Sequence, residues 1–264
     1  DDETPLLVLP LAKEVLKERF ARLEQLSKDG SLKDWLSFCA KVAKAQLDSI
    51  DEIAPESLEE NVVRESLKHG MPPASIGTWK AGADWDHAFE LLTKALLAQE
   101  LPEPARKILE VFKGVNGTEL RQMAEQFLQA DERKIKPEWA PFIGAILQMI
   151  WMQKVAQLAP YASSYKGQST LCPVCGSHPI ASVVRVGTRD AHRYLVCSLC
   201  SSEWYASRAR CTNCETPKEV NMLGETKESL VQGECCDDCH GYLKIMYQSR
   251  DPMMEVMADD LASI

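Results

Sequence analysis

Four Cys-x-x-Cys pairs at fixed intervals dominate the last third of this 264-residue chain. Cys172/Cys175 and Cys197/Cys200 start 25 positions apart, as do Cys211/Cys214 and Cys236/Cys239, and the second set follows the first by 39 positions at all four cysteines. Chance does not produce such agreement, so the region reads as a duplicated module. Two residues between cysteines let both sulfurs turn toward one ion, and two such turns on adjacent hairpins close a tetrahedron. Each set predicts a rubredoxin- or zinc-ribbon-like metal site.

Two groupings satisfy the spacing. Sequential pairing gives one site from Cys172, Cys175, Cys197 and Cys200 and another from Cys211, Cys214, Cys236 and Cys239. The rival joins the inner pairs and leaves the outer ones to meet. The repeat favours the sequential scheme, because each unit then closes on itself. Cys235 falls outside the two-residue spacing and reads as a spare thiol, with exchange against Cys236 left open. Cys39 lies among Trp35, Phe38, Val42 and Ala43 and reads as a small core residue. His178, His192 and His240 stand near the pairs, as surface or outer neighbours rather than ligands. Four thiolates fill a tetrahedral shell, which argues against Lewis-acid hydrolysis. Tetrahedral sulfur suits iron and zinc alike.

The fold class expected is α+β: an all-helical N-terminal domain over 1–165, four-cysteine modules over 166–210 and 211–250, and a C-terminal helix within 251–264. Apolar residues at helical spacing predict helices over 11–26, from Ser31 or Asp34 to about Ile50, and over 55–69. Others follow from Asp84 or Asp86 to Ala98, from Pro102 to Gly114 and from Thr118 to Ala130. Pro137 is placed in the first turn of a long central helix through Leu158, where its missing N–H costs little. Short alternating runs at 181–186 and 193–196 read as strands. The helical half shows no catalytic constellation.

No run of about 18 uncharged apolar residues is present, so no spanning helix is expected. The start Asp1-Asp2-Glu3-Thr4 is acidic where a secretory signal is basic, and it lacks an initiator Met, leaving room for native residues before it. Clustered cysteines in a cytoplasmic protein point to metal before disulfides. The net charge of −9 opposes wrapping by nucleic acid. Residues 172–210 run against that sign, with Arg185, Arg189, Arg193, Arg208 and Arg210 facing only Asp190 and Glu203. Compensation of the local thiolates is the reading preferred for them over a nucleic-acid surface.

These residues also resemble a known family. Leu171-Cys-Pro-Val-Cys-Gly-Ser-His-Pro179, Gly187-Thr188, Arg193-Tyr-Leu-x-Cys-x-x-Cys200, Glu203-Trp204, Arg208-x-x-Cys-x-x-Cys214, Cys236-Asp-Asp-Cys-x-x-Tyr-Leu-Lys244 and the ending Asp259-Asp-Leu-Ala-Ser263 are similar to the formate dehydrogenase accessory protein family, FdhE. Cys235 is extra to that pattern. The resemblance implies a cytoplasmic, non-enzymatic maturation factor that binds the catalytic subunit of respiratory formate dehydrogenase before export. It also implies iron at the paired cysteines, with zinc the alternative. No nucleic acid and no membrane insertion are expected, and a homo-oligomer is left open. The competing readings are a zinc-ribbon nucleic-acid-binding protein and a thiol–disulfide redox protein using Cys235 and Cys236.

Overall fold

The computed structural model describes residues 4–263 apart from 131–134, 168, 190, 208–209 and 219. Arg208 and Asp190 of the charged set lie outside the described residues. The fold is α+β. Helices α1 (Ala12–Leu26) and α2 (Lys33–Ser49) pack as a hairpin. After them come α3 (Glu60–Lys68), α4 (Ala83–Leu97), α5 (Glu103–Lys113), α6 (Gly117–Leu128) and α7 (Ala140–Ala156). Helix α7 is apolar on all sides, and it is buried on all sides by α1, α2, α4 and α6. Ile143, Ile146, Leu147, Ile150 and Trp151 have no exposed surface.

Two helix starts differ from the sequence expectation. Residues 55–59 lie outside the helix, where Leu58 N–H donates to Gln157 Oε1 at 2.9 Å and Gln157 Nε2 donates to the Glu56 carbonyl at 3.4 Å. Tertiary hydrogen bonds thus replace the first turn of the predicted helix. Pro137 sits in a tight turn ahead of α7, with Ala140 N–H bonded to the Pro137 carbonyl at 3.3 Å. The proline in the first turn of α7 is Pro141.

Trp151 illustrates how the core holds. Its indole N–H donates to the Ala74 carbonyl at 2.9 Å, and its ring meets Trp79 edge-on at 5.1 Å. Trp151→Ala is expected to destabilise the chain by about 3–5 kcal/mol, the range for deleting a buried aromatic. A lower urea midpoint at unchanged m-value checks it.

Six strands of the cysteine region and one from the N-terminus form a seven-stranded sheet. Strands β2 (Pro179–Val184), β3 (Arg193–Cys197) and β4 (Glu203–Tyr205) belong to the first unit. Strands β5 (Asn221–Leu223), β6 (Val231–Cys235) and β7 (Tyr242–Tyr247) belong to the second. Each unit is an antiparallel three-stranded ribbon, and parallel pairing of β2 with β7 joins them. The N-terminal strand β1 (Leu7–Val8) covers the outer edge of β4, in register Leu7 to Trp204. At the other end of the chain α8 (Val256–Ala262) returns to α1. One buried cluster runs from Leu16 and Trp151 into Cys172, Cys197 and Trp204.

Candidate metal centres

The Cys-x-x-Cys pairs form tight turns, three of them closed by a backbone hydrogen bond from the residue after the second cysteine. Gly176 N–H bonds to the Cys172 carbonyl at 2.9 Å, Glu215 N–H to Cys211 at 3.1 Å and His240 N–H to Cys236 at 2.9 Å. The chain then reverses, so that the Cys172, Cys197, Cys211 and Cys236 N–H groups donate to the Ser177, Ser202, Thr216 and Gly241 carbonyls at 2.8–3.1 Å. The residue after every second cysteine is left-handed: Gly176 (φ 85°), Ser201 (φ 59°), Glu215 (φ 59°) and His240 (φ 55°). Only the first is glycine. The other three hold a conformation unfavourable for side chains, and these turns impose it.

The hairpins bring the cysteines together in the sequential grouping. Cys172, Cys175, Cys197 and Cys200 place their sulfurs within 4.8 Å of one another, and so do Cys211, Cys214, Cys236 and Cys239. The sulfur pairs Cys172–Cys200 and Cys175–Cys197 are 3.7 and 3.4 Å apart, and Cys211–Cys239 and Cys214–Cys236 are both 3.8 Å apart. A regular tetrahedron with metal–sulfur bonds of about 2.3 Å has edges of about 3.8 Å. Both clusters fit one ion, and four sulfurs leave no position for water or substrate.

Outer hydrogen bonds prepare the sulfurs for negative charge. Leu199 and Cys200 backbone N–H groups both donate to Cys197 Sγ at 3.4 Å, and Asn213 N–H donates to Cys211 Sγ at 3.4 Å. In the first cluster burial opposes the Cys175 thiolate. Hydrogen bonds from Cys172, Cys197, Cys200 and the Ser177 backbone override it and hold that thiol well below its ordinary range. In the second, the Asn213 amide, 3.4 Å from Cys239 Sγ, and the Gly241 backbone hold Cys239 down to about 6. One thiol in each cluster is thus poised to ionise, and an entering ion displaces protons from the others. Asn213 and Ser202, whose hydroxyl lies 3.1 Å from Cys200 Sγ, carried no sequence signal, since neither recurs at the 39-position offset.

Cys235 lies on β6 opposite Tyr242 and belongs to neither cluster. Cys39 is packed between helices, where burial pushes its thiol up to about 12, as expected for a core residue. None of the histidines is in a cluster. Three of the arginines do compensate charge, but their partners are carboxylates: Arg185 and Arg189 grip Glu203, and Arg193 grips Glu234 across the two units.

Three sequence profiles match along the chain. They are described as FdhE N-terminal (residues 4–167), FdhE central domain (171–208) and FdhE C-terminal domain (209–264). Protein FdhE of Salmonella arizonae is 36% identical over 265 residues, spanning 100% of this chain and 85% of that protein. A Protein FdhE homolog of Yersinia enterocolitica is 36% identical over 262 residues, covering 98% and 84%. The crystal structure of the FdhE protein from Pseudomonas aeruginosa superposes with a TM-score of 0.87 at 29% identity, covering 98% of this chain and 91% of that one. On profile, sequence and fold together, this chain belongs to the FdhE family.

Proposed function

We propose that the chain is a metal-binding accessory protein for maturation of respiratory formate dehydrogenase, acting in the cytoplasm on the catalytic subunit before export, and that it is not an enzyme. The observation behind this reading is the pair of closed four-sulfur clusters in a chain of this family. A shell filled by the protein's own sulfurs suits folding and binding rather than bond-breaking at the ion. No helix among the described residues is long and apolar enough to cross a membrane. The arginine-to-carboxylate pairs speak against a nucleic-acid surface, because Arg185, Arg189 and Arg193 already hold partners.

In this reading Cys172, Cys175, Cys197 and Cys200 hold one ion and Cys211, Cys214, Cys236 and Cys239 a second, with iron the ion in the cell. Anaerobically purified protein is then expected to contain one iron per cluster and to show ferric-thiolate colour after oxidation. Colourless protein holding only zinc would refute the iron assignment and leave the ligand assignment standing. For the role itself, loss of the gene is expected to abolish formate-driven dye reduction by the membrane enzyme. Full dye reduction in the deletion strain would rule the role out.

A further inference from the structure

The two clusters repeat in sequence but not in surroundings. Cys172, Cys175, Cys197 and Cys200 are 1%, 0%, 0% and 0% exposed and share a core with Leu195 and Trp204. The helical half seals that cluster. Ala74 and Ile76 N–H groups bond to the Val174 and Cys175 carbonyls, both at 2.9 Å, and Gln148 Nε2 bonds to the Ser198 carbonyl at 3.0 Å. A Cβ at Gly176 would come within 3.4 Å of the Pro72 ring.

Among the described residues nothing comparable covers the second cluster, although Cys211 and Cys236 are themselves buried. Cys214 is exposed and Cys239 half-buried. The neighbouring ties are exposed and polar: Thr216 and Lys218 to Asp238, and Asn221 to Asp237. All three residues of β5 are exposed. A cavity of about 450 Å³ lies between the two units, lined by Cys211, Asn213, Gly241 and the exposed Tyr242 of the second and by Leu171 and His178 of the first, but by no cysteine of the first cluster. A small chelator or thiol can therefore approach from the cavity as well as at Cys214.

We infer that the centre at Cys211, Cys214, Cys236 and Cys239 is an exchangeable one, open to attack by small sulfur or nitrogen donors, whereas the centre at Cys172, Cys175, Cys197 and Cys200 is a permanent part of the core. This rests on the reading that both clusters hold an ion. Exchange needs no change of oxidation state. The Cys214 sulfur leaves with its electron pair and takes a proton from solvent, and the incoming donor occupies its place. The first cluster allows no such approach, since its sulfurs are reached only by opening the core.

The test uses the full chain reconstituted with zinc and challenged with excess 4-(2-pyridylazo)resorcinol. Iodoacetamide is added after the first phase and the alkylated cysteines are mapped by mass spectrometry. Two ions per chain should load. One should leave faster than the other by about tenfold or more, the scale on which surroundings alter metal affinity, with alkylation at Cys214 and its three partners first. Loading of two ions followed by a single release phase, or by first alkylation at Cys172, Cys175, Cys197 or Cys200, overturns the inference while leaving the ligand reading intact. Failure to load two ions overturns both. Cys214→Ser provides an independent check: it should abolish the fast phase, keep the slow one and leave the far-ultraviolet circular dichroism unchanged.

Discussion

Cys197→Ser is expected to leave little soluble native protein, whereas Cys214→Ser is expected to fold. Both changes remove one ligand from a four-sulfur cluster, so ligand count alone predicts equal effects. Location separates them. Apparent binding energies of structural zinc sites in small peptides are about 10–16 kcal/mol, while a whole domain is stable by about 5–15 kcal/mol. A cluster inside the main core transfers much of its binding energy to the fold, because Val174, Leu195, Leu199 and Trp204 pack around it and have no alternative site to bury. The second cluster stabilises its own ribbon, whose strand β5 has no buried residue to lose. Soluble yield, helical circular dichroism and the urea midpoint of the metal-loaded proteins distinguish the two cases. Equal midpoints for the two variants would show that the first centre is not part of the core's stability.

The site was legible in the sequence because its rule is local. A Cys-x-x-Cys turn specifies its own geometry, so all eight sulfurs follow from spacing; the repeat favours the sequential grouping over the rival, and the hairpins adopt it. What spacing does not carry is environment. The repeat reads alike in both units, yet residues 72–76, a hundred positions upstream, cover only the first. The left-handed residues were hidden for a related reason. Glycine marks such positions by composition, and only Gly176 does so; Ser201, Glu215 and His240 are driven there by turn closure.

The fold shows the same division. Helices with clear stops, such as α4 and α5, lie close to where the apolar spacing put them, since breaker residues such as Gly82, Pro102 and Gly114 act locally. Strand β1 has two residues and no periodicity to detect, and it exists because the β4 edge and the Tyr194 hydroxyl, donating to the Pro5 carbonyl at 2.8 Å, hold it. The parallel pairing of β2 with β7 joins residues about sixty positions apart and leaves no mark on either strand. Arg19 and Arg22 were the least legible. They share the apolar face of α1 with Leu16 and Leu23, where charged residues are almost never buried unless paired. Their partners come from the opposite end of the chain.

That pairing leads to the second large effect, a loss of about 3–5 kcal/mol on Arg22→Ala, the cost of leaving a buried charge without its partner. Arg22 and Asp259 side chains are 5% and 4% exposed and 2.7 Å apart at Nη2 and Oδ1, with Arg22 Nε 3.0 Å from Oδ2. Asp251 approaches the same guanidinium at 2.8 Å. One turn away, Arg19 holds Glu255 at 3.1 Å and the Ser201 hydroxyl at 3.2 Å, fastening α8 and the second cysteine turn to α1. Burial raises Asp259 above the ordinary carboxylate range, and the pull of Arg22 opposes that without cancelling it. The sign follows. A carboxyl raised in the folded state stabilises most when protonated and loses that contribution as pH rises through its folded pKa. Asp259 therefore does not drive acid unfolding of the parent. In Arg22→Ala the opposing pull is gone, Asp259 rises further, and protonation removes the unpaired charge. The deficit relative to the parent should be largest near about pH 7 and shrink toward about pH 5, still above the unperturbed Asp value of about 3.9. Paired urea unfolding curves at the two pH values measure it, and a deficit that does not change with pH would mean that packing around α8, not the charge pair, sets the cost. Arg22→Met with Asp259→Leu separates the two further. A double change that recovers most of the stability places the cost in the unpaired carboxylate, since apolar replacement of a whole buried pair is often neutral.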